Sequence, residues 1–161
     1  MSDFVTRYGG IYEDSPWVAE QVEELLDDAG TDVERLARLM ADCVDNAAPE
    51  KQLALIRAHP DLAGKAQLAG ELTAESTAEQ SSAGLDRCSA EEYEQFQSLN
   101  AAYWKKFDFP FIMAVRNSTR AEILHAFASR IDNDYEQEFE TALLEIHKIA
   151  ALRLAALEGG Q

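Results

Sequence analysis

Apolar positions recur at helical spacing over most of this 161-residue chain. After Gly9-Gly10, Ser15 followed by Pro16 predicts a helix with Ser15 as N-cap. It runs to about Ala29 before Gly30, with Val18, Val22, Leu25 and Leu26 as its apolar stripe. Thr31 with Glu34 has the form of a capping box, opening a helix through roughly Asp45 that turns Leu36, Leu39, Met40 and Val44 inward. Pro49 begins a third helix, carrying Leu53, Leu55 and Ile56, and Pro60 stops it just after His59. A short helix is expected from Leu62 to Leu68, and Thr73 opens another that ends near Gly84. Ser89 with Glu92 is a further capping box, ahead of Tyr93, Phe96, Leu99 and Tyr103 on one face. Asn117-Ser118-Thr119 caps the next helix, with Ile123, Leu124, Phe127 and Ile131 inward, and a last helix runs from about Asp134 to Leu157.

One stretch breaks the period. Residues 107–115, Phe-Asp-Phe-Pro-Phe-Ile-Met-Ala-Val, are apolar without a 3.6-residue repeat, and Pro110 interrupts them. With no second strand to pair, they read as a buried extended segment. Such backbone must satisfy its N–H and C=O groups somewhere, and a bound ligand is one available partner. No repeat, low-complexity tract or linker appears. The expected fold is therefore all-α: a single-domain multi-helix bundle over residues 1–161, with one buried non-helical segment near 107–117.

Charge narrows the function. Thirty acidic residues against 14 basic ones give a net charge of −16, and no Lys/Arg cluster is present. That disfavours nucleic acid and anionic membrane surfaces. An anionic small substrate would have to be held by a well-placed arginine or lysine. Cys43 and Cys88 are far apart and read as reduced thiols. No signal-like opening or membrane-length apolar run is seen, so the expected location is the cytoplasm.

Three features carry candidate chemistry. His59 lies at a helix–proline junction, where it is either a satisfied helix-end histidine favoured by the macrodipole (about 0.3–1 kcal/mol) or a general acid–base group. Ser76, Glu79 and Gln80, at i, i+3 and i+4, share one helix face; Ser76 and Glu79 form another capping box unless the helix already starts at Thr73. On the last helix, Phe139, Leu143, Ile146, Ala150, Arg153 and Leu157 define one stripe, which turns Arg153 inward. That arginine is either a buried ion-pair partner or a grip for a substrate carboxylate. His59, His125 and His147 lack metal-ligand spacing, His125 and His147 read as helix-surface residues, and Glu13 reads as a favourable charge at a helix start.

Taken together, His59-Pro60-Asp61-Leu62-Ala63-Gly64, Leu72-Thr73, Ser76, Glu79-Gln80 and Ala83-Gly84-Leu85 resemble the 2-oxo-4-hydroxy-4-carboxy-5-ureidoimidazoline (OHCU) decarboxylases of urate degradation. The resemblance continues through Tyr12-Glu13, Ser15-Pro16-Trp17, Leu99-Asn100, Tyr103, Phe107, Phe109-Pro110-Phe111-Ile112 and Lys148-Ile149-Ala150 to Leu152-Arg153-Leu154. It implies an all-helical homodimer, free of cofactor and metal, that converts OHCU, a small anionic imidazoline, to (S)-allantoin and CO₂. It further implies His59 as the catalytic histidine, Glu79 as its acidic partner and Arg153 as a substrate-binding arginine. Pro60, Ser76 and Gln80 match pocket positions, and Phe111-Ile112-Met113 matches the segment whose main chain meets the substrate ring. Asp108 departs from the pattern, since the family commonly has glycine there; an adjusted loop is expected, because aspartate tolerates left-handed backbone. Two rival readings stand beside this one: a helical interaction module without catalysis, and a lyase or hydrolase acting on a related ureido compound.

Overall fold

Helix starts follow local side-chain chemistry throughout the structure, a computed structural model that describes residues 2–26, 32–64 and 72–159. The elements are α1 (Asp3–Tyr8), α2 (Trp17–Leu25), α3 (Val33–Asp45), α4 (Pro49–Ala58), α5 (Ala74–Ser82), a 3₁₀ turn (Leu85–Arg87), α6 (Ala90–Phe107), α7 (Arg120–Arg130) and α8 (Tyr135–Glu158). Among the described residues the fold is all-α, as expected, and none of these helices is long and apolar enough to cross a membrane. Capping boxes are complete at Ser89/Glu92 and at Thr119/Glu122, so two orphan N–H groups are satisfied at each start. Asp134 and Gln137 form the equivalent exchange ahead of α8, at 2.9 and 3.2 Å.

Several starts differ from expectation. The chain already forms α1, where Ser2 caps by accepting from the Val5 N–H. Pro16 rather than Ser15 is the N-cap of α2; the Ser15 hydroxyl instead donates to the Glu13 carbonyl at 2.9 Å. Leu25, placed inward by its spacing, is 60% exposed, and Ala19 is buried in its stead. Asp32 caps α3 by accepting from Arg35 N–H, while the expected Thr31/Glu34 box involves Thr31, outside the described residues; α2 ends at Leu25, with Leu26 extended, short of the expected Ala29. The expected short helix from Leu62 to Leu68 also falls largely outside them.

The chain divides into two compact units: Met1–Ala58 with Ile146–Gln161, and His59–Glu145. In the first, Val18, Val22, Leu36, Met40, Val44, Ile56 and Leu154 are buried. His147, read from the sequence as a surface residue, is mostly buried there. Its Nδ1 lies 2.8 Å from the Tyr12 hydroxyl and its Nε2 2.9 Å from Asp45, which ties the 9–15 loop to α3 and α8.

The second unit is built on rings. Phe111 stacks on Phe127 at 3.9 Å, and Tyr103 stands edge-on to Phe109, Phe111 and Phe127. Tyr103 also donates from its hydroxyl to Glu138 at 2.5 Å. Glu138 has no exposed surface and is satisfied further by Arg130 and Asn133, each at 3.0 Å. Burial and that carboxylate push the Tyr103 hydroxyl far above the ordinary tyrosine range.

Candidate active site

His59 follows the last residue of α4, where Pro60 has no N–H to continue the ladder, and its side chain is buried at 7% exposure. Beyond Pro60 the chain makes a tight, non-helical turn. Ala63 adopts φ 51°, a left-handed conformation that costs a residue with a Cβ roughly 1–3 kcal/mol and persists only where the surroundings enforce it. Gly64 is required by space, since a Cβ there would come within 2.8 Å of the Asp61 Cβ.

The surroundings that enforce the turn are side-chain amides. Gln80 donates to the Asp61 carbonyl at 3.2 Å and accepts from the Ala63 N–H at 3.0 Å. Asn100 donates to Leu62 O at 3.0 Å, Gln97 to Ala63 O at 2.8 Å, and the Trp104 indole N–H to the Asp61 carboxylate at 2.8 Å. Burial raises the Asp61 carboxyl above its ordinary range, against the opposing pull of the indole hydrogen bond.

Thr73, not Ser76, caps α5: its side chain accepts from the Ser76 N–H at 3.2 Å. The Ser76/Glu79 capping box is thereby ruled out, and both residues lie inside the helix. Ser76 and Gln80 are buried at 4% and 3%, and Glu79 is half-buried beside them. The structure thus brings the polar face of α5, through Gln80, directly onto the turn after His59 and the half-buried Pro60.

The aperiodic segment is buried and extended, without strand pairing among the described residues. Asp108 takes φ 60°, the left-handed position where the family pattern has glycine, and its N–H closes α6 on Trp104 O at 2.8 Å. Phe111 and Ile112 are buried, with Met113 half-buried. The segment's polar groups are met by charged side chains: Arg130 lies over the Phe111 ring at 4.3 Å and donates to Ile112 O at 2.6 Å, while Glu145 accepts from Ala114 N–H at 3.1 Å. Among the described residues no three His, Cys, Asp or Glu side chains converge as metal ligands.

Arg153 belongs to the other unit, on the inward stripe of α8 as its spacing predicts, with a side chain 5% exposed. It pairs with Glu13 at 2.8 Å and donates to Gly10 O at 3.2 Å. Glu13, read from the sequence as a favourable charge at a helix start, is a buried partner, 3% exposed. Its place in the Tyr12-Glu13 block was the one sequence signal for it. Gln97, Asn100 and Trp104 were missed altogether as site residues. Asn100 offered a signal, as the one amide in the row Phe96, Asn100, Tyr103, Phe107.

The described residues form an all-α fold with a buried histidine before a braced turn in one unit and a buried, carboxylate-paired arginine in the other. The chain belongs to the OHCU decarboxylase family, whose model matches residues 1–155. It is 46% identical over 154 residues to the OHCU decarboxylase of Halalkalicoccus jeotgali, covering 96% of this chain and 84% of that protein. To the uric acid degradation bifunctional protein of Bacillus subtilis it is 40% identical over 147 residues, 91% of this chain and 28% of that one. A crystal structure of an OHCU decarboxylase in the presence of (S)-allantoin superposes with a TM-score of 0.74 at 27% identity, covering 94% of this chain and 96% of that one.

The raised Asp61 carboxyl gives a pH prediction. The folded protein keeps this proton at pH values where the unfolded chain has already lost it, so stability falls as pH rises through that interval and the full cost remains above it. Asp61→Asn removes the charge while its Oδ1 still accepts from Trp104. Thermal melts should show it more stable than the parent by about 2 °C at pH 7, with the difference vanishing below about pH 4. Equal destabilisation at every pH would contradict this.

Proposed function

We infer that this chain decarboxylates OHCU to (S)-allantoin and CO₂ in urate degradation, acting as one OHCU decarboxylase-like domain without cofactor. The observation that carries the reading is the family match over residues 1–155; the resemblance that pairs His59, Glu79 and Arg153 with the family's functional positions supports the roles proposed for them. The chemistry fits a site of side chains alone. When the bond from the ring carbon to the carboxylate breaks, its electron pair enters the adjacent C=N system of the substrate, which serves as its own electron sink. The ring nitrogen that receives the pair takes up a proton; the hydroxyl proton leaves as the carbonyl forms, and the ring carbon bearing the ureido group takes a proton on one face.

His59, oriented by Glu79, handles the hydroxyl proton and enforces the face of protonation, a general acid–base contribution on the order of 10²–10⁴ in rate. Arg153 holds an anionic or carbonyl group of the substrate through its planar guanidinium. Pro60, Ser76 and Gln80 line the pocket, and the main chain of Phe111-Ile112-Met113 meets the ring. The support for Gln80 and for the 111–113 segment is that other side chains fix the backbone around both. By the same family resemblance the enzyme is a homodimer, and its proposed location is the cytoplasm.

Freshly generated OHCU supplied to the enzyme should give optically active allantoin, followed by circular dichroism; racemic product at the uncatalysed rate would overturn the reading. His59→Asn should lose most of the turnover while keeping its helical spectrum and melting temperature, and a near-full rate would refute the role of His59. For Arg153→Met, KM should rise at least tenfold, in line with a lost charged hydrogen bond of about 1.5–3 kcal/mol. The double variant Glu13→Gln/Arg153→Met removes both buried charges and should recover stability without recovering KM. Normal KM in the double variant would make the pair purely structural.

A further inference from the structure

A single helix face grips the turn after His59, and no step of the decarboxylation draws on that grip directly. Gln97, Asn100 and Trp104 stand three and four residues apart on α6 and so share one side of it. They bond Ala63 O, Leu62 O and the Asp61 carboxylate, at 2.8, 3.0 and 2.8 Å. The order is reversed, so helix and turn run antiparallel and each step along α6 engages one residue of the turn.

Asn100 is the informative member. It is 5% exposed and sits in a buried row whose other members, Phe96, Tyr103 and Phe107, are all aromatic. Among the described residues its Oδ1 is buried without a hydrogen-bond partner, a penalty that a leucine in the row would avoid. What the amide supplies in return is the N–H on Leu62 O. The next residue, Ala63, is the one held at positive φ, its N–H bonded by Gln80 and its carbonyl by Gln97. A polar residue that violates the pattern of its own helix in order to brace a strained turn has the signature of a functional constraint.

We propose that Asn100, flanked by Gln97 and Trp104, is a positioning residue for the decarboxylation: the row sets the register of the Asp61–Ala63 turn and with it the direction of the His59 imidazole. The inference rests on the proton-transfer role proposed for His59. Acid–base groups tolerate little misplacement, and a shift of about 1 Å can reduce rate on the order of 100-fold.

The test compares Asn100→Leu with the parent protein in three measurements: turnover of freshly generated OHCU, thermal melting, and the ring ¹H–¹⁵N signals of the histidines. Asn100→Leu removes the unpartnered Oδ1 but leaves the Leu62 carbonyl without its donor, so its melting temperature should change by no more than a few degrees. Its kcat should fall about 100-fold, with KM changed less than about threefold. The ring signals of His59 should move while those of His125 stay in place. Gln97→Met, at a half-buried position, removes only the Ala63 O bond and should reduce kcat about tenfold, which keeps the test open if the leucine variant does not fold. Parental kcat in both variants, or lost rate with unmoved His59 signals, would overturn the proposal. If His59→Asn retains its rate, the proton-transfer role is what fails, and the ring signals alone then decide whether α6 positions the imidazole.

Discussion

Irregular backbone can be buried only if its N–H and C=O groups find partners, and this requirement shapes both functional segments of the protein. The turn after His59 and the stretch around Phe111 each lie outside helical hydrogen bonding. In the turn, Gln80, Gln97 and Asn100 supply the partners for three successive carbonyls and one N–H. In the other segment Arg130 and Glu145 do so, and Arg130 is itself fixed by a fully buried Glu138 that also holds Tyr103. Helices here are the frame, and long polar side chains projecting from them hold the non-helical pieces in place. An apolar core alone could not keep these segments in one conformation.

The charge balance places a similar demand on Arg153. The chain carries 16 more acidic than basic residues, so an anionic substrate approaches against the long-range field and must be met at short range. The charge of a guanidinium only 5% exposed is balanced by Glu13 at 2.8 Å, which offsets the cost of burying it. Paired in this way it contributes directed N–H donors more than net charge. That suits recognition of a planar carboxylate or ureido group, where geometry discriminates better than field strength.

Much of this was legible in the sequence, for identifiable reasons. Capping boxes at Ser89 and Thr119, the stop at Pro60 and the inward phase of Arg153 depend on local chemistry and helical period, which a sequence displays directly. The left-handed Asp108 was readable because few residues accept that conformation. Other features were hidden because they depend on partners distant in the chain. Glu13 read only as a favourable helix-start charge, and the residue 140 positions away that pairs with it was not foreseen. His147 looked like a surface residue until Tyr12 and Asp45 were found on its two nitrogens. Gln97, Asn100 and Trp104 had no motif of their own, since only folding reveals that their spacing matches three residues of a turn.

If side chains hold the His59 turn as firmly as a helix holds its own backbone, the Ala63 N–H, bonded to Gln80 at 3.0 Å, should behave like a helical amide despite lying in a loop. Native-state hydrogen exchange resolved to that residue measures this directly. The account predicts that Ala63 is protected to a degree comparable with the core amides of α6, well beyond what an exposed loop shows. Exchange of Ala63 at the rate of an open loop, with α6 still protected, would contradict it.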